Sequence, residues 1–133
     1  MPISITNESG GANYGNPFVG PVDHTAVVKV DISAMTNAEI DSKGYLKPGV
    51  PFKENGTLIG SGEKLFGVTI EAIKVAAGNE SADLSGATDC FVAVGTVGQI
   101  SQDIAEDNLG RSYTADEIAS FNLAGSKIVL LPT

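Results

Sequence analysis

Ala26-Val27-Val28-Lys29-Val30-Asp31-Ile32 sets Val28, Val30 and Ile32 on one side of an extended chain and Lys29 and Asp31 on the other. This period-two alternation is that of a half-buried β-strand. Residues 44–52, Gly-Tyr-Leu-Lys-Pro-Gly-Val-Pro-Phe, read as short strand, turn, short strand. Their prolines cannot donate to a central ladder, which places them at an edge or corner. Glu54-Asn55-Gly56-Thr57 is a tight-turn signal. Residues 65–75 form a β-branched apolar run in which Val68, Ile70 and Ala72 share one alternation, and residues 76–89 are a polar loop. Cys90-Phe91-Val92-Ala93-Val94-Gly95-Thr96-Val97-Gly98-Gln99-Ile100 is the longest strand candidate. Its two glycines predict a bend or a close backbone approach, as in small barrels.

Two helices are expected. Ser101 is placed to cap a short one over residues 102–107. Thr114-Ala115-Asp116-Glu117 is a capping box, in which Thr114 accepts from the Glu117 amide and Glu117 from the Thr114 amide. Ile118 and Phe121 follow as an apolar stripe, with Gly125 as a stop. Lys127-Ile128-Val129-Leu130-Leu131 reads as a last strand. The fold class is therefore mainly β with one or two short helices, an α+β domain over residues 26–133.

Residues 1–25 have a different character. Asn7-Glu8-Ser9-Gly10-Gly11-Ala12-Asn13-Tyr14-Gly15-Asn16-Pro17 is dense in turn and coil residues and poor in apolar surface to offset its ordering entropy. The stretch reads as a flexible N-terminal arm. Its tip, Ile3-Ser4-Ile5-Thr6, alternates, which suits strand addition to another chain's sheet edge.

Charge and composition narrow the classes. The chain has 133 residues, enough for one domain, and 42% hydrophobic against 18% charged residues is a globular balance. Sixteen acidic against eight basic side chains leave a net charge of −8, so no nucleic-acid partner is expected, because a phosphate backbone calls for clustered Lys and Arg. No apolar run reaches the roughly 20 residues of a membrane helix. No basic-then-apolar signal segment opens the chain, and no membrane partner is expected. One Cys excludes an internal disulfide and multi-Cys metal sites.

No catalytic constellation emerges. Gly60-Ser61-Gly62-Glu63-Lys64 is not a phosphate loop, which needs Gly-Lys joined directly to Ser or Thr, because Glu63 intrudes and would repel phosphate. His24, the only imidazole, sits at the end of the arm, and Cys90 heads a strand as a small packed residue. Asp103, Glu106 and Asp107 share a helix face but lack the dense oxygen spacing of a calcium loop. No catalytic, metal or cofactor residue is assigned, and the chain reads as a binding or structural module rather than an enzyme.

The order of segments resembles a known family. Asp41-Ser42-Lys43-Gly44-Tyr45-Leu46-Lys47-Pro48-Gly49-Val50-Pro51, then Gly56, then Glu63-Lys64-Leu65-Phe66-Gly67-Val68-Thr69, is similar to the lambda-type bacteriophage head decoration family, with its short strand, Lys-x-Gly, turn, and Gly-Val before a strand. Residues 89–97 look like that family's second long strand, and residues 115–131 like its closing helix, link and strand. The resemblance implies a compact β-clip-like barrel domain with an extended N-terminal arm, at residues 26–133 and 1–25 respectively. It implies a homotrimer at three-fold positions of the head, bound to the expanded major capsid protein shell and stabilising it against packaged DNA. The protein would then sit on the outer surface of the virion, and in the host cytoplasm during assembly. In that setting Ile3, Ile5, Tyr14, Pro17 and Phe18 are the expected capsid contacts. The arm here is longer and richer in Gly and Asn than the family's. The alternatives are another virion module, of tail or fibre, and a trimeric β-fold enzyme of the dUTPase type, whose Gly-rich C-terminal phosphate clamp this chain's ending does not match. A biotinyl or lipoyl carrier would have only Lys53 to display, without the flanking context.

Overall fold

In the computed structural model, which describes residues 14–30, 35–36, 38–75 and 90–132, Val28 and Val30 are buried and Val27 and Lys29 exposed along β1 (His24–Val30). The alternation in the sequence is thus the alternation of the strand. β1 runs antiparallel to β6 (Cys90–Ser101), the 12-residue strand around which the main sheet is built. On the other side of β6, β4 (Gly67–Thr69) pairs antiparallel at Val94 and Gly95, and β7 (Ile128–Leu131) pairs parallel along residues 98–101. β3 (Pro51–Phe52) pairs with β4, so the order is β1-β6-β4-β3 with β7 also on β6. Pro51 thus occupies the outermost strand, where a missing amide costs no ladder bond.

The fold is the expected mainly-β α+β arrangement, but among the described residues the sheet does not close into the barrel suggested for it. β1 and β3 end the order at opposite sides, and β2 (Tyr45–Leu46) pairs with β5 (Ile73–Lys74) in a separate ladder. The single run expected at residues 65–75 is split for the same reason. Its first part serves β3 and β6, its last part serves β2, and the exposed Glu71 lies between.

Both helices start where their caps stand. The Ser101 hydroxyl accepts from the Ile104 amide at 3.3 Å and opens α1 (Gln102–Leu109). Thr114 and Glu117 form the full capping box of α2 (Ala115–Phe121) at 3.1 and 2.8 Å. α2 ends at Phe121, ahead of Gly125, with Asn122 at its C-cap. Arg111 follows α1 and binds Glu117 at 2.8 Å and Glu39 at 3.3 Å. Those two carboxylates are almost fully enclosed, with side chains 7% and 5% exposed. Hydrogen bonding to Glu117 raises the guanidinium's affinity for its proton, against the lowering effect of burial. The pair of carboxylates therefore holds the start of α2 to the turn at Ala38 and Glu39 through one cation.

The core gathers Ile40, Leu46, Val50, Phe52, Val68, Val94 and Ile100, all fully buried. Among the described residues, every buried side-chain polar atom has a partner. No described helix is long and apolar enough to cross a membrane.

Candidate functional site

Residues 14–23 are where the structure departs most from the sequence reading. Instead of a free arm, they extend the sheet along β6. Pro17 carbonyl accepts from Ser101 N at 2.8 Å, Phe18 bridges to Ile100, Val19 N donates to Gln99 O at 2.8 Å and Asp23 N to Val97 O at 3.1 Å. The strand addition expected of the tip, Ile3-Ser4-Ile5-Thr6, to another chain's sheet edge lies outside the described residues. Pro17 and Phe18, expected as capsid contacts, are buried in this domain, Phe18 at 5% exposure. Tyr14 is half-buried and donates to Asp41 Oδ2 at 2.8 Å. Burial, and then that bond, push its pKa up. The physical reason is that burial of Pro17 and Phe18, together with backbone hydrogen bonds to a distant strand, offsets the ordering entropy of the segment. Ile3 and Ile5 lie outside the described residues.

The remaining sequence candidates are placed as follows. The Gly60 amide donates to Glu63 Oε1 at 2.6 Å, and Lys53 Nζ contacts Glu63 Oε2 at 2.6 Å. The Lys53 ammonium, with the Gly60 amide, holds the Glu63 carboxyl below its usual range. The glycine loop is thus folded onto its own carboxylate, and Lys53 is tied to that carboxylate rather than displayed at a hairpin tip. Glu106 accepts from Gln102 Nε2 and from the Tyr113 amide, both at 2.8 Å, whereas Asp103 and Asp107 are exposed. Among the described residues no group of three His, Cys, Asp or Glu side chains is placed to hold a metal ion. His24 is exposed at the start of β1, and Cys90 opens β6 opposite Val30.

What the residues do bring together is an apolar face. Val27 pairs across the ladder with Ala93, and Lys29 with Phe91. Val27 is 64% exposed, Phe91 is 69% exposed and Ala93 is also exposed. Val28, Val92 and Val94, on the opposite side of the same strands, are buried in the core. A sheet backed by a packed core holds its outward side chains in fixed register, and two large apolar groups left in water there form a contact surface with little ordering left to do. The sequence carried this signal without its being read. Ala26-Val27-Val28 and residues 90–94 are apolar on both strand faces, the pattern of strands covered on both sides. Comparison of the chain with family models, with curated proteins and with solved structures finds no match.

Proposed function

We propose that this chain is a structural binding protein of a bacteriophage head, a decoration protein that attaches as trimers to the expanded major capsid protein shell and stabilises it. The observation that carries the reading is the outward face of β1 and β6, where Val27 and Phe91 stand in solvent on a core-backed sheet. Support also comes from the order of segments over residues 41–131, which resembles that family, and from a net charge of −8, which keeps the protein from competing for packaged DNA. In this reading the apolar face, rather than Pro17 and Phe18, supplies the rigid contact. Ile3 and Ile5 supply the extended one by strand addition. Three-fold clustering multiplies modest contacts per subunit.

Co-sedimentation with undecorated heads tests it. The expected result is saturable binding to expanded shells and none to unexpanded procapsids. The variant Val27→Asp/Phe91→Asp should bind shells far more weakly while keeping its thermal midpoint, since both side chains are exposed. Absence of binding to expanded shells overturns the reading.

A further inference from the structure

Three of the chain's eight Lys and Arg residues, and its one His, line two adjoining clefts. The clefts, of about 420 and 360 Å³, share Glu54, Lys64, Leu65 and Phe66 in their walls. The first continues to Lys53, Asn55 and Glu63, the second to His24, Thr96, Val97, Gly125 and Lys127. Two turns with left-handed glycines bring the cations there. Gly62, at φ 72°, precedes Lys64, and Gly125, at φ 89°, precedes Lys127. A side chain at Gly125 would stand 3.6 Å from Lys64 Nζ, so these two turns meet although 61 positions separate them.

Lys53 is neutralised by Glu63 at 2.6 Å. Lys64 and Lys127 are exposed, and among the described residues neither enters an ion pair. In a chain of net charge −8, this is a local reversal of sign. Its floor is apolar, with Leu65 buried and Phe66 and Val97 half-buried. We infer that the groove is a docking site for an acidic peptide segment of a partner protein, with an apolar side chain over Phe66 and Val97 and carboxylates toward Lys64 and Lys127. A phosphodiester strand fits less well. It needs an uninterrupted track of cations, and here Glu54 lines both clefts together with Lys64. A carboxylate-bearing segment with apolar interruptions matches the alternation of charge and hydrophobic floor. The inference does not depend on the capsid reading, because its test uses only the purified chain and a peptide.

The experiment is an amide chemical-shift titration of the full ¹⁵N-labelled chain with the blocked pentapeptide Asp-Glu-Leu-Asp-Glu. The uncharged Asn-Gln-Leu-Asn-Gln peptide and inorganic phosphate are run in parallel. Saturable shifts are expected at Phe66, Thr96, Val97 and Gly125 with the acidic peptide and not with the uncharged one. Lys64→Gln/Lys127→Gln should weaken binding by about tenfold, the order expected for losing two partly screened charge contacts. Lys29→Gln, exposed on β1 outside the groove lining, should leave affinity unchanged. Unshifted amides at Val94 and Ile100 report that each variant is folded. Three results overturn the inference: no saturable shift, equal affinity in the double variant, or phosphate reproducing the peptide's shifts at the same concentrations.

Discussion

The ring of Phe18 lies against Gly95, so that a β-carbon at that glycine would collide with its Cζ atom, and it also reaches within 3.1 Å of where one would stand at Gly98. The two glycines of β6 thus open a slot that the N-terminal segment fills. Each side of the contact explains the other: an aromatic ring can be buried there because the strand has no side chain at Gly95 and Gly98.

Phe18→Ala should therefore cost about 3–5 kcal/mol, as for other buried aromatics, and Gly95→Ala about 1–3 kcal/mol by overpacking. The double variant should be more stable than the sum of the two losses implies, because removing the ring removes the collision. Urea denaturation of the three variants measures the coupling. Simple additivity would mean that Phe18 does not occupy the slot.

A second prediction concerns Arg111. It is the common partner of Glu39 and Glu117, and its removal leaves two nearly enclosed carboxylates facing each other's surroundings without a cation. Arg111→Leu should destabilise by about 3 kcal/mol at neutral pH, in the range for breaking a buried ion pair from one side. Arg111→Lys should recover only part of this, since an ammonium cannot reproduce the forked contact with Glu117. Adding Glu39→Gln to Arg111→Leu should recover stability by relieving one of the stranded charges. Thermal midpoints of the series check the ranking.

Alkaline pH gives a third. Tyr113 is buried at 4% exposure and donates to the Gly49 carbonyl at 2.6 Å. Burial first, and then the Glu117 charge, raise its pKa, and Tyr14 is raised in the same sense by burial and Asp41. A raised folded-state value contributes stability that is complete below the ordinary tyrosine value of roughly 10 and is lost as pH climbs above it, because the unfolded chain ionises first. Lys47, lowered by burial, acts in the opposite sense just below the ordinary lysine value. Parent and variant must therefore be compared across the same range. Tyr113→Phe should cost about 1 kcal/mol at neutral pH for the lost hydrogen bond and should flatten the fall in stability above about pH 10. Urea midpoints at a series of pH values would show an unchanged alkaline limb if the phenol were accessible.

Local chemistry was legible in the sequence, and long-range pairing was not. Ser101, Thr114 and Glu117 act within three residues of their partners, and Pro51 and Gly56 constrain their own backbone, so their roles could be read from position alone. The break between β4 and β5 depends on which strands stand beside them, which side-chain alternation does not encode. Likewise the ordering of residues 14–23 comes from amides and carbonyls of residues 97–101. The groove cations, Lys64 and Lys127, come to line one cleft only through the fold, and the exposed Val27–Ala93 pair depends on a cross-strand register that period-two reading leaves open.

Asn108 provides the most local test of how the N-terminal segment is held. Its Nδ2 donates to Gly15 O at 2.7 Å and to Pro48 O at 3.3 Å, while its Oδ1 accepts from Gly15 N at 3.0 Å. One amide thus imitates a strand partner for Gly15 and joins it to the turn before β3. Asn108→Ala should cost about 2 kcal/mol by removing the partner of the Gly15 amide and carbonyl and of the buried Pro48 carbonyl. Asn108→Asp should cost more, because a carboxylate can answer the Gly15 amide but presents lone pairs and charge to two carbonyls that need a donor. The loss should be felt first at residues 14–19, the segment that Asn108 ties to the turn before β3. Native-state hydrogen exchange should show Gly15, Phe18 and Val19 opening at lower free energy in Asn108→Ala while Val94 keeps its protection. Uniform loss of protection across the sheet would instead mean that the segment and the sheet unfold as one unit.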